Sequence, residues 1–281
     1  MQNSFNQQVV DEFRANAGVV GGMFEGARLL LLTTTGARSG APHTVPLGYL
    51  PDGDGRVLVI GSAGGSPRHP AWFHNVLVDP RVTVEAGVFR YPAQAVVLAG
   101  DERDRAFERA VEDDPGWGGY EVAAGRRLPV VALVEVPAGP PDIAAPTPGA
   151  ALALVHDGFR RELALIRAEI VRSGPGLGTQ LRINCLTLCQ GLGNHHEGED
   201  AALFPALARQ RPDLAPVVER LREEHVKIAA VLAELQQVVD ADHPDRAEVL
   251  AEVDRLTADL ERHLAHEERE LIPVLDGAGH P

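Results

Sequence analysis

The chain has 281 residues and carries 26 basic against 40 acidic side chains, which gives a net charge of −14 at pH 7. Because a strongly acidic chain without a basic patch is repelled by phosphate backbones and anionic membrane surfaces, neither nucleic acid nor a membrane surface is an expected partner. No apolar run approaches the ~20 residues of a membrane-spanning helix, and the N-terminus lacks a basic segment followed by an apolar core. We therefore expect a cytoplasmic protein.

Length and composition predict more than one domain. The chain exceeds the usual size of one hydrophobic core, and five prolines between positions 137 and 148 are typical of a linker. Before the linker, short β-branched runs alternate with Gly/Pro turns; after it, an Ala/Leu/Glu/Arg-rich sequence has helical periodicity. We predict an α+β multidomain protein, with domains at 1–136 and 149–281 and a Pro-rich linker at 137–148.

The sequence of the first domain predicts a meander of strands, followed by further strands and a helix. Apolar runs between turn signals predict strands at 29–35, 44–50, 57–60, 82–87, 93–98 and 130–136. A helix is predicted at 101–113, between the last two strands. This pattern favours a small β-barrel with flanking helices.

A Gly-rich turn at 61–65 joins the third strand to a short predicted helix that carries Trp72 and Asn75. Small residues in such a turn let a ligand approach backbone N–H groups closely, and Arg38 after the first strand offers positive charge to a phosphate. Turns of this composition are common in β-proteins, so the turn predicts a ligand site only together with other motifs.

Those motifs occur in order from about residue 20 to 136, and with them the domain resembles the deazaflavin-dependent nitroreductase family. They are Thr33-Thr34-Thr35-Gly36-x-Arg38-Ser39-Gly40, Val45-Pro46-Leu47, Ser62-x-Gly64-Gly65-x-Pro67-x-x-Pro70-x-Trp72-x-x-Asn75, Pro115-Gly116-Trp117-x-x-Tyr120 and Leu128-Pro129-Val130-Val131. Members are split β-barrel proteins that use coenzyme F-420. The resemblance implies a coenzyme cleft formed by Arg38, Ser39, His43, Pro46, Ser62, Gly64, Gly65, Trp72 and Asn75. It also implies catalytic positions at Trp117 and Tyr120 on the substrate side and at Ser62.

Two positions depart from the family pattern. His43 stands where an Arg is common, and Ala63 where Lys or Asn is frequent. Because coenzyme F-420 carries a phosphate and an oligoglutamate tail, the loss of cations weakens its capture unless Arg38, His43 and Arg68 compensate. FMN is the alternative coenzyme.

The second domain is divided by turn signals at 173–176, 211–213 and 242–245 into four predicted helices, which we expect to form an antiparallel four-helix bundle. Its two cysteines, Cys185 and Cys189, lie one turn apart on the second of these helices. Because a single helical turn is poor geometry for a disulfide, we expect them to pack between helices in a reducing compartment.

A duplicated motif lies on the second and fourth of these helices. His195-x-x-x-Glu199 and His263-x-x-x-Glu267 are each followed by an acidic residue and a Leu-apolar-Pro sequence. A His and a Glu four residues apart share one helix face. With single histidines, His156 and His225, on the other two helices, the set exceeds one tetrahedral zinc and fits two ions ~3.5–4 Å apart, with iron or manganese preferred.

Residues from about 150 to 276 therefore resemble a hemerythrin-like (HHE cation-binding) domain. The resemblance implies a di-iron centre with the two glutamates as bridges and the ligands His156, His195, Glu199, His225, His263 and Glu267. Respiratory hemerythrins have a further His one turn beyond the third-helix His, and Ala229 stands there in this chain. A fifth nitrogen then comes from His196 or His266, or a water takes its place. Glu268 is an alternative bridge to Glu267.

Together the two resemblances imply an oxidoreductase in which reduced F-420 in the barrel is coupled to a non-haem di-iron centre. That centre would react with oxygen, peroxide or nitric oxide, or an organic acceptor such as a quinone or nitro compound would bind beside Tyr120. The alternative is a non-catalytic di-iron oxygen or redox sensor, or an oxygen-binding protein, with a vestigial or FMN-binding barrel. Since split barrels often dimerise, a homodimer is also an expectation.

Overall fold

The computed structural model describes residues 4–53, 55–136, 142–174 and 176–277. Asp54, between the second and third predicted strands, and residues 137–141 of the predicted linker lie outside this range. The chain divides into two compact units. The first extends to Ala144 and includes Gly178–Gln180, and the second comprises Ala145–Leu177 and the chain from Leu181 onward.

The described residues of the first unit form seven strands and four α-helices, besides two short 3-10 turns. The strands are β1 (Leu29–Thr35), β2 (Pro42–Pro51), β3 (Arg56–Ile60), β4 (Arg81–Ala86), β5 (Phe89–Val97), β6 (Val130–Glu135) and β7 (Asp142–Ile143). The helices are α1 (Ser4–Ala15), α2 (Ala71–Val78), α3 (Gly100–Asp113) and α4 (Gly116–Ala124).

Six of the strands close an antiparallel barrel, which confirms the predicted fold of this domain. Their order is β4-β1-β2-β3-β6-β5, and pairing of β4 with β5 closes the ring; the short β7 pairs with β5 outside it. Strand β5 begins four residues earlier than the predicted start at 93. It does so because Gly87, at φ +56°, opens a two-residue hairpin that pairs Ala86 with Phe89.

Both faces of β1 are buried, which explains its unbroken apolar sequence Leu29–Leu32. Leu30 and Leu32 pack in the barrel interior with residues of α2, including Trp72 and Phe73. On the other face, Leu29 and Leu31 pack against α1. A strand covered on both faces needs no polar alternation, so its sequence reads as a continuous apolar run.

The described residues of the second unit form five α-helices. They are α5 (Pro148–Arg172), α6 (Thr179–Gly198), α7 (Phe204–Gln210), α8 (Ala215–Asp240) and α9 (Arg246–Leu275). A π-helical turn, Glu199–Leu203, joins α6 to α7 without a break. Thr147 caps α5 by accepting from the N–H of Ala150, and Asp245 caps α9. The long helices end at the turn signals read from the sequence.

The four long helices are antiparallel to their neighbours, as predicted. On α5 and α9, Arg160 pairs with Glu261 while Arg167 pairs with Asp254, so the numbers rise on one helix as they fall on the other. The same reversal relates α8 to α9 and α5 to α6. Among the described helices, none combines the length and apolar character needed to cross a membrane.

Candidate metal centre and coenzyme cleft

Seven buried or nearly buried side chains from all four long helices meet in the core of the second unit. They form two groups whose ligand atoms lie within 4.8 Å of one another inside each group. The first group contains His156, His195, Glu199 and Glu267. The second contains His196, His225 and His263.

The two carboxylates lie between the two sets of histidines. One oxygen of Glu199 is 3.3 Å from Nε2 of His195, and the other is 3.6 Å from Nε2 of His225. Glu267 places its Oε2 atom 3.5 Å from Nε2 of His156 and 3.5 Å from Nε2 of His263. Each glutamate therefore faces one histidine of either group, which is the arrangement a bridging carboxylate requires.

In three of the histidine rings, the Nδ1 atom lies beside a carboxylate from outside the cluster. Nδ1 of His156 is 2.9 Å from Glu268, Nδ1 of His263 is 3.0 Å from Glu224, and Nδ1 of His225 is 3.2 Å from Asp200. A carboxylate on Nδ1 favours the tautomer with a free lone pair on Nε2 and fixes the ring orientation. These three contacts turn the Nε2 atoms toward the interior.

Most of the nitrogen and oxygen atoms that face the interior of the cluster have no hydrogen-bond partner among the described residues. Nε2 of His156, His195 and His196 and all four carboxylate oxygens of Glu199 and Glu267 are buried without a hydrogen bond. Unpaired buried carboxylates are costly, and a bound cation removes that cost. Nitrogen and oxygen donors without sulfur suit iron or manganese. The residues present therefore fit a two-metal site.

Electrostatics in the cluster agree with this fit. Burial lowers the pKa of His195 to about 3, of His196 to about 2 and of His263 to about 4, so these rings are neutral at pH 7 and keep a lone pair. Burial, and the negative charge of neighbouring carboxylates, raise the pKa of both Glu199 and Glu267. A metal cation reverses the second effect, because it favours the ionised carboxylates.

Phenylalanine rings pack against two of the cluster histidines. The ring of Phe204 stacks on His225 with 5.3 Å between centroids, and Phe159 lies 5.2 Å from His195. Cys185 and Cys189 are buried in the adjoining core and form no disulfide, and burial raises the pKa of Cys189 to about 12. A thiol that stays protonated is a poor ligand, so the cysteines pack between helices.

All six ligands predicted from the sequence come together, and the structure separates the alternatives. His196 joins the cluster, whereas Nδ1 of His266 is bound to Glu224 at 2.9 Å. Glu268 bonds to His156 and to Arg160 instead of lying between the groups. The π turn that begins at Glu199 was not predicted; such turns are frequent at functional sites.

In the first unit, Asn75 anchors the loop that carries Arg38 and Ser39. Its side-chain oxygen accepts from the N–H of Ala37 at 3.0 Å, and its Nδ2 donates to the hydroxyl of Thr34 at 2.9 Å. Ser39 in turn lies 3.1 Å from Nε2 of the exposed His43. Because Asn75 is buried and its amide is used in these bonds, it acts on this loop by positioning it.

The Gly-rich turn has an unusual backbone. Ala63, Gly64 and Gly65 have φ values of +49°, +63° and +79°, a conformation that favours glycine and is strained at Ala63. Ser62 precedes them in a right-handed helical conformation. Residues of opposite hand in succession are typical of anion-binding turns, although here the N–H groups of Ser62 and Gly65 already donate to the carbonyls of Ile60 and Ser62.

Two arginines that sequence reasoning missed support this region. Arg126 donates to the carbonyls of Gly61 at 3.0 Å, of Arg68 at 3.1 Å and of Ser66 at 3.3 Å, so it holds both ends of the Gly-rich turn. Arg103 donates to the carbonyl of Leu128 and to Glu121 on α4. No local pattern distinguishes either arginine from a surface arginine.

The aromatic residues differ in exposure. Trp72 is only 5% exposed and packs in the barrel core, whereas Tyr120 is 44% exposed on α4. The rings of Trp117 and Tyr120 are 6.0 Å apart, and a side chain at Gly65 would meet the Tyr120 ring. Tyr120 therefore borders the Gly-rich turn. Pro46 is half-buried in β2, opposite Leu31 of β1.

Known protein families match both units. A family model described as F-420H(2)-dependent quinone reductase matches residues 5–135. A second model, described as hemerythrin HHE cation binding domain, matches residues 147–275.

Individual relatives cover the first of these ranges. An F-420H(2)-dependent quinone reductase of Mycobacterium tuberculosis strain H37Rv is 34% identical over 127 residues, 44% of this chain and 85% of the relative. A solved F-420-H2-dependent reductase is 36% identical and aligns with 38% of this chain and 93% of its own, with a TM-score of 0.35. Another solved structure, titled domain-swapped dimer, is 33% identical over 45% of this chain and 92% of its own, with a TM-score of 0.37. The chain belongs to the F-420H(2)-dependent quinone reductase family, the deazaflavin-dependent oxidoreductases, and carries in addition a hemerythrin HHE domain.

Proposed function

We propose that the first unit transfers a hydride from F-420H(2) to a quinone. Family membership of residues 5–135 carries this proposal, because the related M. tuberculosis protein is named an F-420H(2)-dependent quinone reductase. When bound, the reduced coenzyme supplies two electrons as a hydride. The chain binds the coenzyme, orients the acceptor and limits access of water.

Coenzyme binding is supported by two loops. Arg38 and Arg68 are exposed on the β1–β2 loop and after the Gly-rich turn, and both offer donors to phosphate and carboxylate groups. The left-handed backbone of the Gly-rich turn, at Ala63, Gly64 and Gly65, is typical of anion-binding turns and supports the same assignment. These cations favour F-420, whose tail carries carboxylates, over FMN.

Acceptor binding is assigned to the exposed ring of Tyr120, next to Trp117 on α4. A flat aromatic surface binds a quinone or a nitro compound by stacking. Replacing Tyr120 with Ala should raise KM for the quinone and leave the Kd of the coenzyme unchanged. Val122 on the same helix is 84% exposed, and Val122→Ala is the matched control.

The experiment mixes anaerobic protein with F-420H(2) and menadione, a soluble quinone, and follows the coenzyme absorbance. Oxidation that needs both protein and quinone supports the proposal. If the protein binds FMN and leaves F-420H(2) unbound and unoxidised, the proposal is wrong and the FMN alternative replaces it.

The second unit binds two iron ions through the six ligands predicted from the sequence. The support is the set of unpaired buried donors, with two carboxylates between two histidine groups. Iron supplies redox chemistry toward oxygen, peroxide or nitric oxide. Iron content after anaerobic loading and desalting tests this part, and a chain that retains no iron contradicts it.

The two units serve one reaction, in which oxidation of the coenzyme is coupled to reduction of a ferric centre. The support is that both units belong to redox families within one chain. We expect His195→Ala to abolish coenzyme oxidation by oxygen while coenzyme binding and quinone reduction persist. A stopped-flow trace of wild-type protein that records both the coenzyme and the ferric absorption measures the coupling. An iron spectrum that does not change would instead favour a reductase joined to a separate oxygen or redox sensor.

A further inference from the structure

Helix α8 contributes a single nitrogen to the cluster. His225 is buried, but the residue one turn later is Ala229, which is exposed. Within the described chain, His225 is therefore the one α8 side chain in either group. With His263 of α9 as the second nitrogen on this side of the centre, a third has to come from another helix.

His196 of α6 occupies the required place. Its ring stacks on His225 with 4.2 Å between centroids and 15° between planes, and it meets His263 edge-on at 5.2 Å. The ligand atoms of these three histidines lie within 4.8 Å of one another. His196 is 5% exposed although it is an imidazole.

A purely structural histidine in this position would satisfy its buried nitrogens. Buried polar side chains almost always have a hydrogen-bond partner. Nε2 of His196 has none among the described residues, and neither has Nε2 of His195 beside it. This unpaired nitrogen lies among convergent ligand atoms, where a cation would satisfy it.

We propose that His196 is a metal ligand and that the centre is asymmetric, with three imidazoles at one position and two at the other. His196, His225 and His263 bind one ion, and His156 and His195 bind the second. Glu199 and Glu267 lie between them. The inference rests on the proposed two-metal site of the second unit and assigns its fifth nitrogen.

The alternative donor, His266, is held elsewhere. Its Nδ1 lies 2.9 Å and 3.1 Å from the two oxygens of Glu224, the carboxylate that also orients His263. It belongs to neither group of convergent ligand atoms. His266 therefore contacts Glu224 instead of the interior of the centre, and its removal leaves five imidazoles in place.

The experiment titrates metal-free, full-length protein anaerobically with Fe(II) and, separately, with Co(II). Bound metal is measured by elemental analysis after desalting, and the Co(II) ligand-field absorption reports the donor set. The wild-type chain should bind two ions. In His196→Ala one ion should remain at wild-type affinity, while the affinity for the other falls by at least about tenfold, the order seen when metal-site contacts are removed.

A second variant separates ligation from packing. His196→Phe keeps an aromatic ring against His225 but has no nitrogen, so a packing role predicts wild-type metal binding and ligation predicts loss of one ion. Free imidazole added to His196→Gly should restore the second ion. His243→Ala, at an exposed position between α8 and α9, is the matched control. Circular dichroism of each metal-free variant checks that the helices persist.

The outcomes distinguish this inference from the proposal on which it rests. A wild-type chain that binds no metal overturns both. Two ions bound with unchanged affinity by His196→Phe overturn the role of His196 and leave the two-metal site intact. Loss of one ion in His266→Ala, with none lost in His196→Phe, would assign the fifth nitrogen to His266 instead.

Discussion

Nε2 of His225 lies 3.2 Å from Nε2 of His263, while Nδ1 of each ring faces a carboxylate of its own. A carboxylate beside Nδ1 favours the tautomer with its lone pair on Nε2, and when both rings adopt this tautomer their lone pairs face each other, which is unfavourable without a cation. This relationship connects the packing of α8 and α9 to metal binding. It predicts that the metal-free and metal-loaded proteins differ in stability.

Metal removal should therefore make the second unit sensitive to acid. Burial lowers the pKa of the cluster histidines below 6.5, to about 3 for His195. The unfolded rings take up protons below about pH 6.5, whereas the native rings do not, so stability falls as the pH falls. Each such ring contributes up to about 1.4 kcal/mol per pH unit in this window.

The buried glutamates have the opposite trend, since their raised pKa values stabilise the fold at low pH and that contribution is lost as the pH rises. Five rings outnumber two carboxylates between pH 5 and 6.5, so the net effect there is acid destabilisation. Urea unfolding of metal-free protein, followed by helical circular dichroism from pH 5 to 7.5, measures this. A midpoint that rises on acidification would contradict the prediction.

Glu199→Gln should change stability and metal binding in opposite directions. Burial raises the pKa of Glu199, so its carboxyl group has to take up a proton when the metal-free protein folds at neutral pH; Gln avoids this cost, and the metal-free variant should unfold at a higher urea concentration. It also replaces one of the two carboxylate oxygens that face His195 and His225 by an amide NH2, which cannot bind a cation, so metal affinity should fall by at least about tenfold. Glu197→Gln, at an exposed position two residues earlier, should change neither quantity. Unaltered metal affinity in Glu199→Gln would rule out the bridging role.

Asn75→Ala should loosen the loop that carries Arg38. The variant loses the bonds to Ala37 and to Thr34 and leaves a buried donor and acceptor unpaired, at a cost of about 1–3 kcal/mol in unfolding free energy. The Kd for F-420 should rise, with a smaller change in kcat. Isothermal titration and steady-state kinetics separate the two, and Asn16→Ala on the exposed end of α1 is the control. A fall in kcat with unaltered coenzyme binding would instead assign Asn75 to the reaction itself.

Arg126→Met should disorder the Gly-rich turn, because four carbonyls at and beside the turn lose their charged donor. We expect coenzyme affinity to fall by about tenfold or more, the equivalent of one charged hydrogen bond of about 1.5–3 kcal/mol. Arg127→Met removes an exposed arginine one residue later, whose partner is Asp104, and should bind the coenzyme normally. Equal losses in both variants would point to a general effect of charge.

The sequence was sufficient for the architecture because the relevant signals are local. Apolar runs between Gly/Pro turns determined six barrel strands, and proline and glycine breaks determined the four long helices. The early start of β5 was missed, since Arg90 and Tyr91 pair with β4 through a hairpin that depends on Gly87. Strand ends depend on a partner strand, and a partner is not a local property.

Spacing also determined the six candidate metal ligands, since His-x-x-x-Glu places two donors on one helix face whatever the surrounding fold. Only the tertiary structure separates His196 from His266, and Glu267 from Glu268, as candidate ligands. Adjacent residues of a helix point in directions about 100° apart, and only the packed neighbouring helices define which direction is inward. The same holds for Arg126 and Asn75, whose hydrogen-bond partners lie about 40 to 65 residues away along the chain. Their roles follow from long-range contacts that no short stretch of sequence contains.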